Sequence, residues 1–312
     1  MKKLISIVTP TFNEEKNIYS LSKEISIQMQ NLDYDYEYEH IIIDNASTDD
    51  TQKVIRKLCS ENKKVKAIFN KRNFGHIRSP YYGVLQAKGD AVILLWSDYQ
   101  DPPELIVQLL EKWNKGSEVV LLKRKNSNAN FFLESLKIFF YKMINFLSEI
   151  KLLEKTTGTG IFDKKIIEQL KKIEEPYPYF RGLIMEITNK VDIVEFNQPN
   201  RKYGKSKNNF FTLFDMAMLG IIKHSKLPLR LMTITGLIFS VLACIAGIFF
   251  FTYKLLFWDS FQLGLAPIII GLFFGISFQI LLLGIIGEYV GFILTQVRKF
   301  PLVIESERIN FE

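Results

Sequence analysis

The chain has 312 residues, of which 48% are hydrophobic and 23% charged, with a formal net charge of +7 and a mean hydropathy of +0.08. That length accommodates one large core or two units, and the apolar content is high for a purely soluble enzyme. Two cysteines, Cys59 and Cys244, exclude a disulfide framework and a cysteine-based zinc site.

The N-terminal half alternates apolar runs with polar turns and helical stretches. Leu4 to Thr9 reads as a first strand, Pro10 to Glu15 as its exit, and Lys16 to Met29 as a helix. A dinucleotide site would place a G-x-G-x-x-G fingerprint at this turn, and its absence excludes a nicotinamide or flavin Rossmann enzyme. A second strand, His40 to Asp44, ends in the polar run Asn45 to Thr51 and opens another helix. Val65 to Asn70 reads as a third strand, followed by Arg72-Asn73-Phe74-Gly75-His76 and a short helix around Tyr81 to Ala87. Gly89-Asp90 then turns into Ala91 to Leu95, an apolar run suited to a buried parallel strand. That run breaks into Trp96-Ser97-Asp98-Tyr99-Gln100-Asp101, and Pro102-Pro103-Glu104 suits the first turn of a helix. Such alternation predicts a doubly wound, mostly parallel sheet, in which ligands bind at the carboxyl ends of the strands. Asp98, Gln100 and Asp101 therefore sit where a cation or phosphate is handled, although an acidic turn that caps the next helix has the same composition.

Further along, Asn130 to Leu153 intersperses phenylalanines and leucines with Lys137, Lys142 and Lys151, and Phe210 to Ile222 repeats the pattern. Both suit interfacial amphipathic helices or ordinary core packing. Between them, Arg201-Lys202-Tyr203-Gly204-Lys205-Ser206-Lys207 gathers cations. A P-loop is excluded there, because its first glycine would fall at Pro199. Leu231 to Tyr253 and Ser260 to Gly287 carry no charged residue, and each exceeds the ~20 residues needed to cross a bilayer. Lys223, Lys226 and Arg230 precede the first run and Arg298 and Lys299 follow the second, which predicts both termini on the cytoplasmic side of an inner or plasma membrane. Met1-Lys2-Lys3 leads into a strand-like run and not into a cleavable signal peptide. The net positive charge then suits an anionic leaflet and not nucleic acid.

Val8-Thr9-Pro10-Thr11-Phe12-Asn13-Glu14-Glu15, Ile43-Asp44-Asn45-Ala46-Ser47-Thr48-Asp49, Asn73-Phe74-Gly75, Gly89-Asp90 and Ser97-Asp98-Tyr99-Gln100-Asp101-Pro102-Pro103-Glu104 stand in this order. Together they resemble family 2 glycosyltransferases. The likeness is to the polyprenyl-phosphate branch, which includes bactoprenol glucosyltransferases and dolichol-phosphate mannose synthases, and it runs from about residue 4 to Gly287-Glu288-Tyr289-Val290-Gly291. The resemblance implies a GT-A-type catalytic domain over 1–207, a juxtamembrane amphipathic segment over 208–230, and a two-helix hairpin within 231–312, with spans at 231–253 and 262–287.

The resemblance also implies roles. Asp98 and Gln100 match metal positions for Mg2+ or Mn2+, whose charge neutralises a departing nucleoside diphosphate. Asp44 matches a contact to the donor base, with helix capping as its structural alternative, and Pro10, Thr11, Phe12 and Glu14 match the wall beside it. Asn13 and Glu14 also suit holding that loop's shape. Arg201-Lys202-Tyr203-Gly204-Lys205-Ser206-Lys207 matches an Arg-x-x-Gly-x-Ser-Lys motif. Arg201, Ser206 and Lys207 would bind the acceptor phosphate, and Arg201 and Lys205 would act with Asp98 in catalysis.

Two departures stand out. Trp96 occupies the first position of an Asp-x-Asp pair, and Thr157-Gly158-Thr159-Gly160-Ile161-Phe162-Asp163 lacks the carboxylate that relatives carry as a base; Asp163 is expected to cap the helix from Lys164. A lipid phosphate monoester, with a second pKa near ~6, needs little deprotonation at neutral pH.

The implied activity is inverting transfer of a sugar from a UDP- or GDP-linked donor to polyprenyl phosphate at the membrane, for envelope glycan or protein modification, with a tetramer as the family's assembly. Two alternatives are a processive polysaccharide synthase, whose Gln-x-x-Arg-Trp motif is missing, and a silent nucleotide-sugar-binding scaffold.

Overall fold

The computed structural model describes residues 2–32, 36–125, 153, 156–199, 227–257 and 265–311. Among these residues, eight strands form one sheet in the order β7-β5-β6-β4-β1-β2-β3-β8. They are β1 (Lys3–Thr11), β2 (Tyr36–Asp44), β3 (Val65–Asn70), β4 (Ala91–Leu94), β5 (Val119–Arg124), β6 (Thr156–Asp163), β7 (Asp192–Phe196) and β8 (Glu305–Ile309). The centre, β4-β1-β2-β3, is parallel, while β6 runs antiparallel between β4 and β5. This is the mostly parallel α/β architecture that the alternation of strands and helices predicts.

Odd and even residues of the central strands feed two separate cores. Ile5 and Ile7 of β1, Ile42 of β2 and Ile93 of β4 pack with α1 (Ile18–Gln30), α2 (Thr51–Glu61) and α4 (Leu105–Asn114). Val8, Ile41, Ile43, Val92 and Leu94 face the other way, onto α3 (Gly75–Gln86), α5 (Lys164–Lys172) and α6 (Phe180–Ile187). Covering both faces is why these strands read as unbroken apolar runs and not as alternating ones.

Several element boundaries differ from the sequence reading. β1 and β2 are longer than their apolar cores, because Lys3 and Tyr36 to Glu39 pair in the ladder despite their polarity. α3 begins at Gly75, where the chain takes φ +84°. Pro102 and Pro103 lie before α4, not in its first turn: their carbonyls accept from Leu105 N and Ile106 N at 3.1 and 3.0 Å. Asp163 caps α5, its Oδ1 accepting from Lys165 N at 3.0 Å while Oδ2 accepts from Trp113 Nε1 at 2.8 Å. β8 has no counterpart in the sequence reading. It pairs antiparallel with β3 and covers that edge.

The apolar C-terminal region forms α7 (Leu227–Leu256) and α8 (Leu265–Val297). Among the described residues, Gly271–Val297 is long and apolar enough to cross a membrane, and Leu227–Ala243 is a shorter apolar stretch. α8 runs ten residues past Gly287, where the charge-free run ends, so Glu288 lies within the helix. Leu237, Phe249, Phe273 and Leu281 are each about 60% or more exposed.

Two features of the core are open to measurement. A Cβ on Gly160 would stand 2.4 Å from the Val120 carbonyl oxygen and 2.9 Å from Leu121 Cδ2. Gly160→Ala should therefore lower stability by about 1–3 kcal/mol, read as a lower unfolding midpoint in detergent. His40 is buried between Ser22 Oγ, 3.1 Å from Nδ1, and Thr9 Oγ1, 2.9 Å from Nε2. Burial pushes its pKa from 6.5 down to about 3. Between those values the unfolded chain binds a proton here and the folded chain does not. Stability should fall as pH drops through that window, by up to ~1.4 kcal/mol per unit, and His40→Gln should flatten the slope of a urea midpoint measured from pH 7 to 5.

Candidate active site

Three neighbouring strands, β4, β1 and β2, end at the same edge of the sheet, and their exits are tied together. Leu95 N donates to Val8 O at 2.9 Å, Ser97 Oγ to Pro10 O at 3.1 Å, and Asn45 N to Thr11 O at 3.0 Å. Each exit also contains a non-glycine residue in the left-handed region: Asn13 at φ 58°, Ala46 at 61° and Tyr99 at 59°. Such backbone conformations cost about 1 kcal/mol or more each, and their clustering at adjacent strand tips marks a functional edge that composition alone does not reveal.

The first exit is held by the second. Asn13 Oδ1 accepts from Thr48 N at 2.8 Å, Asn13 N donates to Ser47 Oγ at 2.8 Å, and Glu14 N donates to Thr51 Oγ1 at 2.8 Å. Asn13 and Glu14 thus brace the loop. Asp44 is fully buried and does not cap a helix, since α2 starts seven residues later at Thr51. Its Oδ2 accepts from Ser47 N at 3.1 Å and Gln52 Nε2 at 2.8 Å, and its Oδ1 has no hydrogen-bond partner. Burial raises its pKa despite those bonds. Asn45 links onward to the third tip: its Oδ1 accepts from Phe74 N at 2.9 Å and its Nδ2 donates to Asn73 Oδ1 at 2.8 Å. The Asn73-Phe74-Gly75 stretch is therefore a brace for the strand edge.

Beyond β4 lies a cavity of about 350 Å³, walled by Trp96, Asp98, Gln100, Asp101, Arg124, Gly158, Tyr179 and Arg181 among others. Asp98 and Gln100 are partly exposed, and Asp98 Oδ1 accepts from Gln100 N at 3.1 Å. Tyr99 points away and anchors the loop through its hydroxyl, which donates to Glu24 Oε1 at 3.0 Å. Asp101 is 2% exposed; Oδ2 accepts from the Thr159 hydroxyl and Oδ1 has no hydrogen-bond partner. Burial raises its pKa, with Asp98 adding to the rise and Arg124 opposing it. Two carboxylates and two guanidinium groups lining one cavity can hold a polyanion and its counter-ion.

The N-terminal domain matches the family model "Glycosyl transferase family 2" over residues 6–171. The chain belongs to glycosyl transferase family 2. It is 30% identical to the "Uncharacterized glycosyltransferase YkcC" of Bacillus subtilis over 98% of this chain and 94% of that one. It is 31% identical to the "SfII prophage-derived bactoprenol glucosyl transferase" of Shigella flexneri, over 98% and 99% of the two chains. The "Prophage bactoprenol glucosyl transferase homolog" of Escherichia coli matches at 31% over 96% and 97%. A glucosyl-3-phosphoglycerate synthase of Mycobacterium tuberculosis superposes with a TM-score of 0.49 at 18% identity, covering 70% of this chain and 78% of that one.

In this glycosyltransferase, Asp98, Gln100 and Asp101 line one cavity, while Pro10 and Thr11 end β1, Asp44 ends β2, and Phe12 and Glu14 stand in the exit of β1. Arg201, Lys205, Ser206 and Lys207 lie outside the described residues, as do Phe210 to Ile222 and Asn130 to Leu153 apart from Leu153 itself. Arg124 and Arg181 are cavity residues that the sequence reading did not name. Arg124 carried a signal, as the second of three cations that follow the apolar run Val119 to Leu122; Arg181, on a short helix distant in sequence, carried none. Gly158 takes φ +87°, and among the described residues a Cβ there would meet Arg181 Cδ alone, at 4.0 Å. Space thus stands at the position where the resemblance implies a carboxylate.

Among the described residues no three His, Cys, Asp or Glu side chains gather to hold a metal alone. Asp98 and Gln100 fit a hard divalent cation only if a ligand's own oxygens complete the shell, as a diphosphate's do. Asp98→Ala should therefore lower turnover at least ~100-fold with the unfolding midpoint unchanged, and should abolish metal-dependent nucleotide binding by calorimetry.

Proposed function

We propose that this glycosyltransferase moves a sugar from a UDP- or GDP-linked donor to a polyprenyl phosphate on the cytoplasmic face of a membrane in which α7 and α8 anchor it. The observation that carries this reading is whole-length similarity: the bactoprenol enzyme of Shigella flexneri aligns over 98% of this chain, apolar helices included, and not over the catalytic domain alone. The return of the chain from α8 into β8 supports a same-side arrangement. A strand that pairs with β3 keeps the end of α8 beside the catalytic domain.

The lining of the cavity supports the following chemistry. A phosphate oxygen of the acceptor attacks the anomeric carbon, the new C–O bond forms as the bond to the diphosphate breaks, and the nucleoside diphosphate leaves with the electron pair. In-line attack from the opposite face inverts the anomeric centre. A divalent cation, when bound, supplies charge that neutralises the leaving diphosphate. Asp98 and Gln100 would hold that cation, and the orphaned Oδ1 of Asp44 would accept from the donor's base. Arg124 and Arg181 would orient phosphate oxygens, together with Arg201, Ser206 and Lys207, with Lys205 adding charge at the transition state. Because the acceptor is largely dianionic at neutral pH, the space beside Gly158 need not be filled by a base.

Trp96 and Gly158 favour one other reading, a nucleotide-sugar-binding protein without turnover. Purified full-length protein incubated with polyprenyl phosphate and a panel of UDP- and GDP-sugars, with Mg2+ or Mn2+, should yield a lipid-linked sugar from at least one donor. Metal-dependent binding of a donor with no product on any polyprenyl phosphate would establish the silent reading instead.

A further inference from the structure

Helix α8 ends at Val297, and the residues after it run directly onto the catalytic domain. Gln296 Nε2 donates to Glu175 Oε1 at 2.7 Å, and Lys71 N donates to Ile304 O at 2.9 Å, so the segment is tied down on both sides. Between those ties, Phe300 sits with two guanidinium groups against its ring, Arg72 at 5.8 Å and Arg78 at 5.9 Å from the centroid. Arg72 also lies 4.4 Å over Phe74, and Arg78 5.4 Å from the Tyr177 ring.

Cations around the β3–β8 edge, on either face of the sheet, have acidic partners: Arg56 with Glu307 at 2.6 Å, Lys66 with Glu39 at 2.6 Å, and Arg308 with Glu305 at 2.5 Å. Among the described residues, no carboxylate stands within ion-pair distance of Arg72 or Arg78, and Nε of Arg78 is buried without a hydrogen-bond partner. Exposed Lys71, Arg298 and Lys299 raise the local positive charge further. Aromatic faces offset part of the repulsion between two guanidiniums, but they supply no acceptor for the N–H groups. Among the described residues the pair has no anionic partner, and its N–H groups can serve a bound anion.

The position identifies which anion. If α8 spans the bilayer, residues three positions beyond its end lie at headgroup depth, where phosphodiesters are the abundant anions. We propose that Arg72 and Arg78, held around Phe300, bind the phosphate of an anionic phospholipid and seat the catalytic domain against the leaflet. The seat adjoins the cavity mouth, since α3 also contributes His76 and Ile77 to the cavity wall and Tyr177 immediately precedes Pro178 and Tyr179 there. A bound headgroup would fix the height at which a lipid-borne phosphate meets the site. This inference rests on the reading of α8 as a membrane span.

The test uses the full chain in nanodiscs of phosphatidylcholine with and without phosphatidylglycerol. Sugar transfer to polyprenyl phosphate is followed in the discs, and native mass spectrometry counts retained phosphatidylglycerol. The expected result is that phosphatidylglycerol raises turnover of the wild type, that R72Q/R78Q loses this response while keeping its rate in phosphatidylcholine alone, and that its phosphatidylglycerol affinity falls about 5-fold per arginine. R72K/R78K keeps the charge and should keep a partial response, which separates loss of the site from loss of the fold. An equal phosphatidylglycerol response in wild type and R72Q/R78Q overturns the inference. So does a raised KM for polyprenyl phosphate in phosphatidylcholine alone, which would assign the pair to the acceptor. Alkaline carbonate extraction separates this outcome from failure of the underlying reading: release of wild-type protein from membranes removes the span itself.

Discussion

The parallel pairing of β4, β1 and β2 is the constraint on which the site depends. Parallel strands need helical crossovers on the faces, so their carboxyl ends all emerge at one edge and every exit is a loop that opens a helix. Here the three exits are adjacent, cross-linked through Ser97, Asn45 and Asn13, and each passes through a left-handed residue. The stability of two apolar cores, one on each face, holds that strained edge in place.

The electrostatics of the cavity follow from what the edge exposes and what it buries. Asp98 is partly exposed, while Asp101, three residues on, is buried against Thr159 with its pKa raised by burial. Arg124 and Arg181 face them from β5 and α6, elements that reach the cavity only because β6 runs antiparallel between β4 and β5. The antiparallel insertion thus brings cations to an acidic strand tip. Positive and negative groups line one cavity, as a ligand that carries both anionic groups and a counter-ion requires.

The C-terminal strand changes how the apolar helices relate to the catalytic domain. By covering the β3 edge, β8 removes a row of unpaired backbone groups and ties the end of α8 to the sheet. The same connection places Phe300 among Arg72 and Arg78, where three elements distant in sequence meet.

The order of motifs along the chain determined the family, the α/β class and the position of Asp98 and Gln100 at a strand tip, because apolar runs and polar exits are local properties. Val65–Asn70 matches its strand residue for residue for that reason, and Asp163 caps its helix as its place before Lys164 implies. Only the tertiary structure decided what a residue at an exit touches. Asp44, which the sequence left open between base contact and helix cap, caps no helix; it accepts from Ser47 N and Gln52 Nε2 and keeps one buried oxygen without a hydrogen-bond partner. Arg124, Arg181 and the Phe300 cluster depend on pairings between segments 26 to 228 positions apart, if Arg124 is measured from Asp98 and Phe300 from Arg72. β8 escaped notice because Glu-Ser-Glu-Arg-Ile has no apolar alternation of its own. Its strand form comes from the open edge of β3, and an edge exists only once the sheet has formed.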